Sequence, residues 1–159
     1  KNSLRMYRDI SEYNRDIIIS EDVDAEKIYA LHQSSDCLVN PSRGEAWSTP
    51  SFEAMAFGNT PICSDFGGPR DFIDKEDTFT GECVEGSYAT CQCSDSAFPD
   101  MFTGREYWFD PCEMKIRKAM RFYYDNKGGK REKKIAGLTR AKKFSYENVG
   151  NLMKGFLNE

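Results

Sequence analysis

Two short apolar runs separated by a proline-marked helix constrain this chain more than any other feature. Cys37-Leu38-Val39-Asn40 is an apolar run ended by Pro41, and Pro61-Ile62-Cys63-Ser64 is a second. Between them, Thr49-Pro50 pairs a hydroxyl cap with proline at the first helical position. Phe52, Ala54, Met55 and Ala56 carry the helix, and Gly58-Asn59 stops it. Strands joined through a helix run parallel, because a tight hairpin would reverse the chain instead. The expected architecture is a doubly wound α/β sheet with flanking helices, whose ligands bind where loops leave the carboxyl ends of strands.

The same rhythm extends in both directions. Met6, Ile10, Tyr13 and Ile17 recur at helical spacing, so a helix is expected over 3–15, and Ile17-Ile18-Ile19 reads as a short buried strand. Asp24 reads as the N-cap of a helix with an apolar stripe of Ile28, Leu31 and Ala30. Gly67-Gly68-Pro69 opens another short helix. Residues 75–112 break the pattern and read as a weak strand plus an irregular insertion at about 78–108. C-terminal helices are expected over 111–159: one from Pro111 to a stop at Asn126-Lys127-Gly128-Gly129, one over about 130–143, and one capped by Ser145. The stripes of these helices, including Val149, Leu152, Met153, Phe156 and Leu157, are expected to be core.

Composition enters through what it excludes. With 39% hydrophobic and 30% charged residues the chain is neither disordered nor fibrous. It holds no run of about 18 apolar residues, and no apolar segment follows the charged start as in a signal peptide. A soluble, cytoplasmic chain is therefore expected, and its six cysteines as free thiols. Charge is uneven: residues 1–112 carry a net −12 and residues 113–143 a net +9. The basic block is most simply a solvated helix face, although association with an anionic membrane stays open. No nucleic-acid motif accompanies it.

Chemistry concentrates between Asn40 and Gly58. Glu45 lies in the loop leaving the second strand, and Glu53 in the first turn of the next helix. Backbone N–H groups of roughly Trp47 to Ser51 lack intrahelical acceptors, which makes the helix tip an anion site. Carboxylates are poor phosphate ligands but good acceptors for sugar hydroxyls. A diphosphate between two hydroxylated groups is the outline of a nucleotide sugar.

Pro41-Ser42 before the loop, Glu45 and Glu53 with seven residues between them, Glu53-Ala-Met-Ala-Phe-Gly58, and Asp65-Phe-Gly-Gly68 stand together. Phe144-Ser-Tyr-Glu147 opens the last helix. This combination resembles the donor-binding half of GT-B-type retaining glycosyltransferases, the large family 4 (glycosyl transferases group 1) that includes sucrose- and glycogen-synthase-like enzymes. The resemblance is tight over about 36–74. It implies a partial, Rossmann-like nucleotide-sugar-binding domain over 1–159, part of the C-terminal half of a GT-B fold. By the same resemblance, Glu45 contacts the donor sugar near its reacting carbon and Glu53 holds the ribose diol. Backbone amides of Ala46, Trp47, Ser48 and Thr49 cradle the diphosphate, with Arg43 and Ser42 as further candidates. The implied reaction is hexosyl transfer from a nucleoside-diphosphate sugar with retention of configuration, and it needs no metal and no cofactor. The acceptor (glycan, lipid or small molecule) would bind a separate N-terminal domain of the same protein. The 159 residues alone are expected to be inactive, since two further strand–helix units and the acceptor half are not among them. A non-catalytic binding or assembly module that keeps the fold is the alternative.

The family's small residues after the first glutamate are Ala46 and Ser48 here rather than glycine. A positive φ at either would strain the backbone. Three other features suggest chemistry less strongly. Asp22-Val23-Asp24 has the form of a metal motif, yet its place before a helix favours capping. Cys83, Cys91, Cys93 and Cys112 could surround zinc but lack a Cys-x-x-Cys knuckle. His32, the single histidine, reads as a surface or half-buried residue, and Trp47 either stacks on a sugar or covers the loop.

Overall fold

The computed structural model describes residues 17–91, 102–126 and 128–157. The helix expected over 3–15, and Cys93 of the candidate zinc set, lie outside them. Helix α1 (Ala25–Ser34) begins at Asp24, whose carboxylate accepts the Lys27 amide at 2.8 Å. Strand β1 (Cys37–Asn40) follows, then helix α2 (Thr49–Phe57), strand β2 (Thr60–Ser64), the single turn α3 (Pro69–Phe72) and strand β3 (Glu82–Val84). The three strands form one parallel sheet in the order β1-β2-β3, with Val39 opposite Ile62 and Cys63 opposite Cys83. All five residues of the central strand β2 are buried. Pro61 is tolerated there because β2 pairs with β3 only from Ile62 onward, so its missing N–H breaks no ladder bond.

Helices cover both faces of this sheet. On one side Met55, Cys63, Phe72 and Ile73 form a core with Trp47, Phe52 and Phe144 against it. On the other, Ile62 and Val84 pack on Ala119 and Tyr123 of helix α4 (Glu113–Asp125). Alternation along β2 decides the division: Ile62 points to one layer and Cys63 to the other. Helix α5 (Lys130–Lys142) crosses α2 at Gly137, where a Cβ would collide with the Met55 carbonyl. This is an α/β, Rossmann-like arrangement with a parallel sheet between helical layers.

A regular element stands within the segment read as an irregular insertion. Strands β4 (Gly86–Thr90) and β5 (Tyr107–Pro111) pair antiparallel, Tyr88 opposite Phe109. Phe66 stacks on Phe109 at 5.8 Å between ring centroids, and the Phe109 amide donates to the Arg43 carbonyl at 3.0 Å. The ribbon is thereby fixed to the loop after β1.

Three expectations about apolar segments need correction. Ile17–Ile19 belongs to no described strand and is exposed, because a β-branched run becomes a strand only when a ladder partner lies beside it. Ile28 and Leu31 are exposed on α1, and the side chain that α1 buries is His32. Helix α6 (Tyr146–Leu157) buries nothing: Val149, Leu152, Met153, Phe156 and Leu157 all face outward, since no described element packs against that face. Its start is as expected, with the Asn148 amide donating to the Ser145 hydroxyl at 3.3 Å.

Among the described residues five cysteines are free thiols, and no three His, Cys, Asp or Glu side chains are grouped to hold a metal. Burial pushes Cys37 and Cys63 up to about 11 and Cys83 up to about 12. No helix among the described residues is long and apolar enough to cross a membrane.

Candidate functional site

The loop from Pro41 to Ser48 leaves the carboxyl end of β1 and turns into α2. Ser48, and not Thr49, occupies the N-cap position; Thr49 and Pro50 are the first two helical residues. Ser48 is the one described non-glycine residue with positive φ, at φ 64 and ψ 67. Left-handed backbone at a residue with a Cβ costs about 1–3 kcal/mol and persists only where the surroundings enforce it. Here they do. The Asn40 amide donates to the Ser48 hydroxyl at 2.8 Å, and that hydroxyl donates to Ser51 at 2.7 Å. Both serines are buried, so the network cannot be exchanged for water.

A second loop locks the first. Gly67 and Gly68 follow β2, and a Cβ on either would strike backbone of Glu45, Ala46 or Trp47. The Gly68 amide donates to the Ala46 carbonyl at 2.9 Å, and the Ser64 hydroxyl to the Ser42 carbonyl at 2.5 Å. The paired glycines are therefore a packing requirement of the loop that carries Glu45. Asp65, just before them, is committed elsewhere. Burial pushes its carboxyl up, but Arg70 at 2.9 Å and Lys75 at 3.4 Å outweigh burial and hold it below the usual range.

The tip offers fewer donors than the sequence suggests. Glu45 Oε1 accepts the Ser48 amide at 2.9 Å, and the Ser51 and Phe52 amides bond to the Ser48 carbonyl. Pro50 has no N–H. The amides of Ala46, Trp47 and Thr49 remain without an acceptor among the described residues. The Trp47 side chain turns inward against Phe52, Phe72 and Phe144 at 5.1–5.5 Å, so it covers the core beneath the loop.

The remaining candidates separate. Glu53 lies in the second turn of α2 rather than the first, because the helix starts at Thr49, one residue earlier than the proline pattern implies. Its Oε2 is 4.0 Å from Nε2 of the buried His32, and among the described residues no hydrogen bond joins it to Glu45. Arg43 is engaged by the ribbon, its Nε 2.9 Å from Asp110 and its guanidinium 4.5 Å over Trp108. A polar cavity of about 510 Å³ opens beside it, bounded by Ser87, Asp110, Glu113 and Lys115. The Ser42 hydroxyl donates to the Gly44 carbonyl at 3.1 Å.

Two features escaped the sequence reading. Asn40, read as a strand end, is what holds the Ser48 turn; a polar residue closing an apolar strand was the available signal. His32 beside Glu53 had none, for the two are brought together only by the packing of α1 on α2.

Comparison with known proteins agrees with this architecture. A glycogen synthase of Clostridium novyi (strain NT) is 30% identical over 101 residues, covering 64% of this chain and 17% of that protein. The chain thus spans under a fifth of that relative's length. The family model for glycosyl transferases group 1 matches residues 4–90, more than half of the chain and all of the strand–helix unit that bears Glu45 and Glu53. On that match, the chain belongs to the glycosyl transferases group 1 family.

Proposed function

We propose that this chain is the donor-binding portion of a retaining glycosyltransferase, taking a sugar from a nucleoside-diphosphate sugar. The observation that carries the reading is the tip of α2: three amides, of Ala46, Trp47 and Thr49, without an acceptor among the described residues, beside a turn held left-handed by buried hydrogen bonds. Strain maintained at the carboxyl end of a parallel strand has a use if a ligand occupies the turn.

Donor binding then proceeds by exchange. A diphosphate oxygen takes the Ser48 amide from Glu45, and the freed carboxylate accepts from hydroxyls of the donor sugar. Glu53, one turn along, accepts from the ribose diol. As the bond from the anomeric carbon to the diphosphate oxygen breaks, its electron pair stays on the leaving oxygen. The fixed amide dipoles at the tip stabilise that charge without reorganising. The acceptor hydroxyl attacks from the face the diphosphate leaves, and its proton passes to the departing phosphate oxygen. No metal or cofactor enters this scheme. The acceptor is proposed to bind a separate domain of the same protein, so that residues 1–159 alone turn over no nucleotide sugar.

A second reading, a binding or assembly module that keeps the fold, draws on one observation. Glu45 and Arg43 both have protein partners already, at Ser48 and Asp110. Calorimetry with UDP, GDP and ADP and their sugar conjugates separates the two. The donor reading expects binding that weakens about tenfold or more in Glu45→Ala and in Glu53→Ala, as for loss of a charged hydrogen-bond partner. Absence of any nucleotide binding by the intact protein would favour the module.

A further inference from the structure

Helix α1 inverts the usual pattern of burial. Ile28 and Leu31 are 37% and 43% exposed, while His32, the polar residue beside them, is 7% exposed. If α1 needed only to pack on α2, an apolar side chain would serve with no polar group to desolvate. His32 is held through both ring and backbone. Its imidazole lies flat on Phe57 at 5.4 Å with 9° between the rings, and its backbone carbonyl accepts from the Asn59 side-chain amide at 2.6 Å. Both contacts come from α2 and its end, so His32 and Glu53 ride on one rigid pair of helices. Across from the ring, Glu53 has a 39% exposed side chain and no hydrogen bond from any described residue. Among the described residues the basic group beside it is His32, with Nε2 at 4.0 Å from Oε2.

We propose that His32 is a positioning residue, setting the direction of the Glu53 carboxylate so that its free oxygen meets the ribose diol of the donor. This rests on the ribose role of Glu53 proposed above. At 4.0 Å the contact exceeds hydrogen-bond length; closure to a hydrogen bond from the Nε2–H to one carboxylate oxygen accompanies ligand binding. One oxygen turned toward α1 leaves the other to the exposed side, where a pair of alcohols can reach it.

The test is a thermodynamic cycle on the intact protein, read as dissociation constants by calorimetry. The probes are UDP, GDP and ADP and their 2′,3′-dideoxy counterparts. His32→Leu keeps the packing on Phe57 and removes the polar nitrogen; His32→Gln restores a donor at similar reach. We expect His32→Leu to weaken the ribonucleotide about five- to tenfold, a change typical of a lost charge-directed contact. His32→Gln recovers most of that loss. In a Glu53→Ala background His32→Leu changes nothing further, and on the dideoxy nucleotide it has no effect in either background. Equal loss in the Glu53→Ala background makes His32 a structural residue and overturns the proposal. So does unchanged affinity in His32→Leu where Glu53→Ala alone is weakened. If Glu53→Ala binds like wild type, the ribose reading fails first, and the proposal with it. Should His32→Leu not fold, His32→Asn enters the same cycle, with thermal melts confirming that each variant is native.

Discussion

Helices α2 and α6 are of similar length and opposite character. Along α2, apolar residues follow no single stripe, yet Ser51, Ala54 and Met55 are completely buried. Along α6, Val149, Leu152, Met153 and Phe156 form a clear apolar face, and none of them is buried. A helix covered on several sides has no reason to segregate polar from apolar, whereas one covered on one side does. Periodicity therefore reports that a face has a use for a partner, and only topology supplies one. α2 has the sheet beneath it and α5 across it; α6 has neither.

The largest expected effect falls on α2. Met55→Ala removes a side chain at 0% exposure from the centre of one core and should cost about 2–5 kcal/mol by chemical denaturation. Cys63 packs in the same cluster, with its thiol pushed up to about 11 by burial. In the native protein at pH 8.5 its thiolate is about a hundredfold scarcer than in an ordinary cysteine, so alkylation is slow. Met55→Ala should accelerate it markedly. A Met55→Ala protein that melts and alkylates like wild type would mean that α2 is no more anchored than α6.

Next comes one substitution with opposite signs in two helices. Gly137 in α5 touches the Met55 carbonyl, leaving no room for a Cβ, and Gly137→Ala should destabilise by about 1–3 kcal/mol through overpacking. Gly150 and Gly155 in α6 have nothing within 4 Å of an added Cβ. There alanine should stabilise by about 0.5–1 kcal/mol, because it limits the unfolded chain and favours the helix. Thermal melts of the three variants check the contrast. A Gly137→Ala protein as stable as wild type would show that α5 and α2 can separate at little cost.

The comparison also locates what was legible in the sequence. The β1–α2–β2 unit could be read because Pro41, Pro50 and Gly58-Asn59 act through their own backbone limits, which no distant contact overrides. Asp24 could be read as a cap for the same reason, and its carboxylate does bond Lys27. Glu45 and Glu53 were visible as residue types in a suggestive place, but their partners were not. That Glu45 takes the Ser48 amide depends on a left-handed turn enforced by Asn40, eight residues back. That Glu53 meets His32 depends on how α1 lies across α2. The ribbon pairs Tyr88 with Phe109 across twenty intervening residues of weak pattern, and its hold on Arg43 follows from that pairing. Ile17–Ile19 shows the reverse failure, a strong local β signal with no described strand beside it.

The smallest expected effect is on α6, and it discriminates most sharply. Leu152→Ser and Phe156→Ser replace side chains that are 64% and 78% exposed. With so little area to lose from burial, each should change stability by less than about 0.5 kcal/mol and should improve solubility. The helix keeps its Ser145 cap in both, so circular dichroism should show α6 intact. If either variant instead cost as much as a core truncation, the apolar face of α6 would be covered in solution. Sedimentation would then say by what: a mass that falls in the variants points to a second copy, and an unchanged mass to another part of the same protein. In either case α6 would join α2 as a buried helix, and the contrast between them would be one of partners arriving at different levels of assembly.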